Sequence, residues 1–203
     1  RIQLNNEGAQ GRFEVLAALT RLRQLSLDPA LVDERYEGVG SAKIDLLCSH
    51  LEQIVPAGHQ VLVFSQFVSF LERIDSSLKQ RGISCLLLEG KTRKREDVIA
   101  KFRRGEGSVF LISLKAGGIR LTLTEADYVY IMDPWWNPSV EAQAINRAHR
   151  IGQNRAVNVY RLVAQDTIEE KVCQLQAHKQ RLIDTVVDDV GDESTQRMDI
   201  DQL

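Results

Sequence analysis

The sequence predicts an α/β fold built on a mostly parallel sheet with helices on both faces. Short continuous apolar runs recur at Gln60 to Phe64, Ser84 to Leu88, Val109 to Ile112 and Tyr128 to Met132. Stretches with helical periodicity lie between most of them, and strands that alternate with helices imply parallel neighbours buried on both faces. Two unusual loop sequences directly follow strand runs, at the carboxyl ends where such sheets bind ligands. They are Ser113 to Gly118 and Asp133 to Pro138.

Taken in order, Arg12 to Leu25 reads as a helix, with an apolar stripe at Phe13, Leu16, Leu19, Leu22 and Leu25. Asp28-Pro29 ends it. Glu37 to Gly40 reads as a linker. Ser41 is placed to cap a helix running to about Ile54, with Ile44, Leu47 and Leu51 on its apolar side. The Gln60 to Phe64 strand precedes a helix from Phe67 to about Arg81, stopped by Gly82. After the Ser84 to Leu88 strand comes a helix from about Arg93 to Phe102. Strands at Val109 to Ile112 and Tyr128 to Met132 follow, then a helix from Ser139 to Arg150 and a strand from Val157 to Leu162. The last helix spans Thr167 to about Val186. Asp166 or Thr167 can cap it, and Glu169 and Glu170 suit its first turn. Beyond Gly191 the chain is acidic and poor in apolar residues, which predicts a flexible tail. The organisation expected is a helical lead-in and linker over 1–40, a lobe over 41–165, a bracing helix over 166–190 and a tail over 191–203.

Composition narrows the function classes. At 203 residues, 43% hydrophobic and 27% charged, the chain is an ordinary globular sequence. No apolar run approaches the ~20 residues that span a bilayer, so no membrane partner is expected. The absence of a starting Met and of a signal peptide makes the sequence read as a fragment. Three scattered cysteines (Cys48, Cys85, Cys173) suit a reducing intracellular compartment, cytoplasm, nucleoid or nucleus. No His/Cys cluster has metal spacing, so no metal site is expected in this chain. The net charge of −2 averages two opposed segments. Lys91, Arg93, Lys94, Arg95, Lys101, Arg103 and Arg104 crowd one stretch, while Asp184, Asp188, Asp189, Asp192, Glu193, Asp199 and Asp201 crowd the tail. A basic segment of that kind is usually solvated surface and points only weakly to phosphate.

The most informative stretch runs from Gln143 to Gln153. Arg147 and Arg150 lie three apart in a helix-compatible run that breaks at Gly152, so they share one helical face. Each guanidinium offers a planar donor fork matched to phosphate oxygens. Gly117-Gly118 allows a backbone to approach a ligand closely, and Lys115 adds charge beside it. The Trp135-Trp136 pair sits between two prolines. Trp135 is expected in the core, and Trp136 as an exposed platform or wedge against nucleic acid. Gly90-Lys91-Thr92 is not a P-loop, because Cys85 stands where that motif needs its first glycine. There is thus an arginine pair without a phosphate cradle, and no acid/base pair, nucleophile triad or Mg²⁺-binding carboxylate cluster. One lobe of a two-lobe NTPase would carry such a set, as an arginine finger for a site completed elsewhere.

Together these motifs make the chain resemble the second RecA-like lobe of Swi/Snf-type ATPases, a branch of the superfamily-two helicases, over roughly residues 12 to 185. Val61 to Phe67 is similar to motif IV of that family, Ser113 to Thr124 to motif V, and Gln143 to Gln153 to motif VI. Trp136-Asn137-Pro138 lies between V and VI, as in the family. The resemblance implies that Arg147 and Arg150 are arginine fingers reaching the γ-phosphate of an ATP held with Mg²⁺ mainly by the first lobe. It implies that Gln143 couples the two sites and that Gly117 and Gly118 form a loop near nucleotide and DNA. Lys115, Ser113, Trp136, Ser65 and Gln66 are the implied DNA contacts. Partners implied are double-stranded DNA, the first RecA-like lobe, and a remodelled complex such as a nucleosome, RNA polymerase or another DNA-bound protein.

The chain departs from the family at Arg120, where glycine is usual, at Thr122, where asparagine is usual, and at Asn146, where aspartate is common. The function expected is an ATP-dependent duplex-DNA translocase. The alternatives are an RNA helicase lobe and a non-catalytic nucleic-acid-binding or protein-docking module.

Overall fold

The computed structural model describes residues 2–114, 123–146 and 156–181, with side chains from residue 10. The helices are α1 (Ile2–Leu27), α2 (Ala42–Ile54), α3 (Val68–Gln80), α4 (Arg95–Arg103) and α5 (Pro138–Ile145), and a further helix, α6, covers 168–181. The strands are β1 (Val61–Ser65), β2 (Cys85–Leu88), β3 (Val109–Ser113), β4 (Tyr128–Ile131) and β5 (Asn158–Arg161). They form one five-stranded sheet in the order β2-β3-β1-β4-β5, and all four pairings are parallel. Val61 lies level with Val109 on one side and Tyr128 on the other, so the strands end nearly together on one rim.

Strand alternation divides the core. Val61 and Val63 face one way, into a cluster with Leu47, Leu51, Phe70, Leu71, Ile74, Leu78, Tyr130 and Met132 that seats α2 and α3. Leu62 and Phe64 face the other way, packing with Phe102, Phe110, Ile112, Val129, Ile131 and Ala144 beneath α4 and α5. Every residue of β1 and β3 is buried, which accounts for their unbroken apolar runs. Ser41 caps α2 by accepting from the Ile44 amide at 3.3 Å, as its position predicts. Gly82 follows α3 with φ +71°, the left-handed conformation that glycine adopts without strain.

Two differences from expectation have physical reasons. Cover on both faces holds for the inner strands but not for β5, whose four residues are all exposed. It lies at the end of the sheet order and, among the described strands, pairs only with β4, so it is an edge strand. The first helix is also longer than its stripe suggests, and Phe13, Leu16, Leu22 and Leu25 of that stripe are exposed. Among its described side chains, burial on α1 is confined to the last two turns, at Arg23 and Leu27. Two short 3-10 turns, Pro29–Leu31 and Glu34–Tyr36, then lead into α2, each capped by the preceding aspartate.

Candidate functional site

Parallel order brings the carboxyl ends of β1, β3 and β4 to the same rim, and the sequence-selected loops leave from there. A buried polar network ties two of them together around Asp133. The Ser65 hydroxyl donates to Asp133 Oδ1 at 2.5 Å, and the Gln66 amide donates to the same oxygen at 3.1 Å. Gln66 Nε2 donates to Asp133 Oδ2 at 2.7 Å. Arg23 reaches in from α1, donating to Gln66 Oε1 at 3.1 Å, to Asp133 Oδ2 at 3.3 Å and to the Pro134 carbonyl at 2.8 Å. Its guanidinium lies 5.5 Å from the centre of the Phe67 ring. Burial pushes the Asp133 carboxyl above the ordinary carboxylate range, against the opposing pull of Ser65, Arg23 and the Gln66 amide. Desolvation likewise lowers the Arg23 value. The network fixes the β1 and β4 loops relative to each other.

A second buried set secures the rest of the β4 loop. Lys43 donates to the Met132 carbonyl at 2.6 Å, the Leu162 carbonyl at 2.9 Å and both Glu169 oxygens at 2.6 and 2.8 Å. Glu141, on the first turn of α5, accepts from the Trp135 amide at 2.7 Å and from Arg161 at 2.5 Å. Asn137 caps α5 by accepting from the Ser139 amide at 3.1 Å, with Pro138 at the first helical position. The Asn-Pro pair therefore has a local structural role, since proline there loses no hydrogen bond.

The sequence-selected residues divide into three groups. Ser65 and Ser113 are fully buried and level with each other on β1 and β3; the Ser65 hydroxyl is committed to Asp133, and that of Ser113 has no hydrogen-bond partner among the described residues. Gln66, Trp135 and Trp136 are half-buried on the rim, and Gln143 is exposed on α5. Trp135 packs against the core cluster beneath α4 and α5. Lys115, Gly117, Gly118, Arg147 and Arg150, with Arg120 and Thr122, lie outside the described residues. Among the described residues no group of three or more His, Cys, Asp or Glu side chains could hold a metal ion. No described helix is long and apolar enough to cross a membrane.

Sequence reasoning missed Arg23, Lys43, Glu141, Glu169 and Gln176 as site-building residues. A polar residue breaking the apolar side of a helix, as Arg23 and Lys43 do, was the available signal.

Comparison with known proteins gives this geometry its family. The model of the helicase conserved C-terminal domain matches residues 42–152. DNA repair protein RAD5B of Arabidopsis thaliana is 47% identical over 148 residues, covering 70% of this chain and 12% of that protein. An uncharacterized ATP-dependent helicase of Mycoplasma pneumoniae is 38% identical over 185 residues, 88% of this chain and 18% of its own length. Protein CHROMATIN REMODELING 24 of Arabidopsis thaliana is 41% identical over 151 residues, 73% of this chain and 14% of that protein. The chain thus spans less than a fifth of the length of these relatives. The crystal structure of the C-terminal part of the Fun30 ATPase domain superposes with a TM-score of 0.63 at 38% identity, covering 67% of this chain and 45% of that one. The chain belongs to the helicase conserved C-terminal domain family, and its five-stranded parallel sheet is the second RecA-like lobe of the Swi/Snf-type branch.

Proposed function

We propose that this chain is the C-terminal lobe of an ATP-dependent translocase on double-stranded DNA, acting in the remodelling of protein–DNA complexes. The observation that carries the reading is the Asp133 network. It holds Gln66 and the Trp135-Trp136 loop on the rim where parallel sheets take their ligands. Rigid loops suit a surface that must keep its grip while a substrate moves past it. The relatives favour duplex DNA over RNA, since they include a DNA repair protein and a chromatin-remodelling protein.

In this reading ATP, with its Mg²⁺, is held mainly by a first RecA-like lobe and lies between the two. Arg147 and Arg150 would stabilise charge on the transferring phosphoryl group, an effect worth about 10³-fold or more in rate for arginine fingers. Gln143 and the Gly117-Gly118 loop would couple nucleotide to DNA. Lys115, Trp136 and Gln66 would contact the duplex, with Ser113 and Ser65 shaping the backbone beneath them. Lobe closure and opening would then step the DNA by alternating grip. The chain alone would have negligible ATPase activity, because its phosphate cradle lies elsewhere. Nucleosomes, RNA polymerase or another DNA-bound protein would be the remodelled partner.

Grip through phosphates makes a direct prediction: binding should be nearly independent of DNA sequence and should weaken with salt. Duplex binding by the chain, titrated against salt, should show log K falling linearly with log salt by about 0.9 for each phosphate contacted. Salt-independent binding, or binding confined to single-stranded RNA, would overturn the reading.

A further inference from the structure

The last described helix holds the tryptophan loop at two points. Glu169 and Gln176 lie seven residues apart on α6, two turns, and so on one face. Glu169 reaches the loop's start through Lys43, whose Nζ also holds the Met132 carbonyl. Gln176 reaches the loop directly. Its Nε2 donates to the Trp135 carbonyl and, at 2.8 Å, to Glu141 Oε1. That same Glu141 oxygen accepts from the Trp135 amide. Both the amide and the carbonyl of Trp135 are therefore captured, one by α5 and one by α6. Gln176 and Glu141 are 6% and 1% exposed, so these bonds form away from water, where losing a partner is expensive.

We propose that Gln176 is a positioning residue, whose own hydrogen bonds to the Trp135 carbonyl and Glu141 set the orientation of the Trp135-Trp136 loop and hence the strength of duplex binding. The loop orientation stands on the hydrogen bonds above; the binding consequence rests on the duplex-DNA reading of the preceding subsection. Val172, fully buried one turn before Gln176, makes the control, because its truncation loosens α6 without touching the Trp135 bonds.

The test compares Gln176→Leu and Val172→Ala with the wild-type chain. Three quantities are read: urea stability, acrylamide quenching of fluorescence, and affinity for a labelled DNA duplex. Trp135 and Trp136 are the only two tryptophans of the chain, so quenching reports this loop alone. Gln176→Leu should raise the quenching constant about twofold and weaken duplex binding about fivefold, the scale of one lost net hydrogen bond. Val172→Ala should lower stability at least as much while leaving quenching and affinity close to wild type. Wild-type quenching in folded Gln176→Leu would overturn the proposal, as would Val172→Ala reproducing both changes. Should Gln176→Leu fail to fold, Glu141→Gln must show the same quenching change for the proposal to stand. Absence of duplex binding by the wild-type chain would count against the functional reading instead, and quenching alone would then decide the positioning role.

Discussion

Glu169→Gln should destabilise the chain by about 3–5 kcal/mol, the loss typical of breaking a buried ion pair from one side. The Lys43 and Glu169 side chains are 8% and 1% exposed, and their closest N···O distance is 2.6 Å. At an effective dielectric of about 20, opposite unit charges at that separation attract by about 6 kcal/mol. Desolvating the two ions costs several kcal/mol each, so the intact pair contributes little net stability. With Glu169 neutralised, the ammonium keeps only neutral oxygen acceptors, including the Met132 and Leu162 carbonyls. Lys43→Met leaves the opposite charge stranded and should cost a similar amount. The double variant strands neither and should be more stable than either single variant, by at least about 2 kcal/mol. Urea unfolding of the four proteins measures the cycle, and additive losses would refute the reasoning.

The same pair makes a pH prediction. Burial pushes the Lys43 value down and the Glu169 value up. A raised carboxyl favours folding below its unfolded value near about 4, and that contribution is lost as pH rises through the folded value. A lowered ammonium favours folding above about 10, and that contribution is lost as pH falls through the folded value. Both penalties stand near neutrality, so the double variant should gain most on wild type there and lose that advantage towards either extreme.

Two further predictions follow from packing and from thiol chemistry. A Cβ added at Gly107 would lie 2.8 Å from Leu86 Cγ and 3.2 Å from Cδ1. Gly107→Ala should therefore cost about 1–3 kcal/mol in urea unfolding, whereas Gly38→Ala, with open space around it, should change little; equal midpoints would contradict the clash. Burial and the Asp75 carboxylate push the Cys85 thiol up to about 12. At pH 8 only about one such thiol in 10⁴ is ionised, so alkylation by iodoacetamide should be far slower than for a free cysteine. Mass spectrometry of a time course decides this, and modification at the free-thiol rate would refute it.

The sheet was legible because each inner strand is a continuous apolar run, and the α2 boundary was legible because Ser41 is a capping residue at the right offset. The motifs were legible because their residue types are rare in combination. The Asp133 network was not. Arg23 meets Pro134 across 111 positions and Gln66 meets Asp133 across 67, and no local pattern encodes such partners. The lead helix shows the limit of periodicity, since spacing finds an apolar stripe but not whether this chain covers it. Phe13 is 72% exposed, while Arg23, a charged residue of the same helix, is 6% exposed. Ser65 is a related case. Motif order marks it as a DNA-side residue, yet its hydroxyl serves Asp133, and Gln66 stands at the rim beside it.

The central claim is tested most directly by ATP hydrolysis in the full-length protein that carries this lobe, with duplex DNA, single-stranded DNA or RNA, each with and without Arg150→Ala. The account predicts stimulation mainly by duplex DNA and a loss of about 10³-fold or more in the variant. Stimulation by RNA alone, by none of the three, or an Arg150→Ala protein as active as wild type would contradict it.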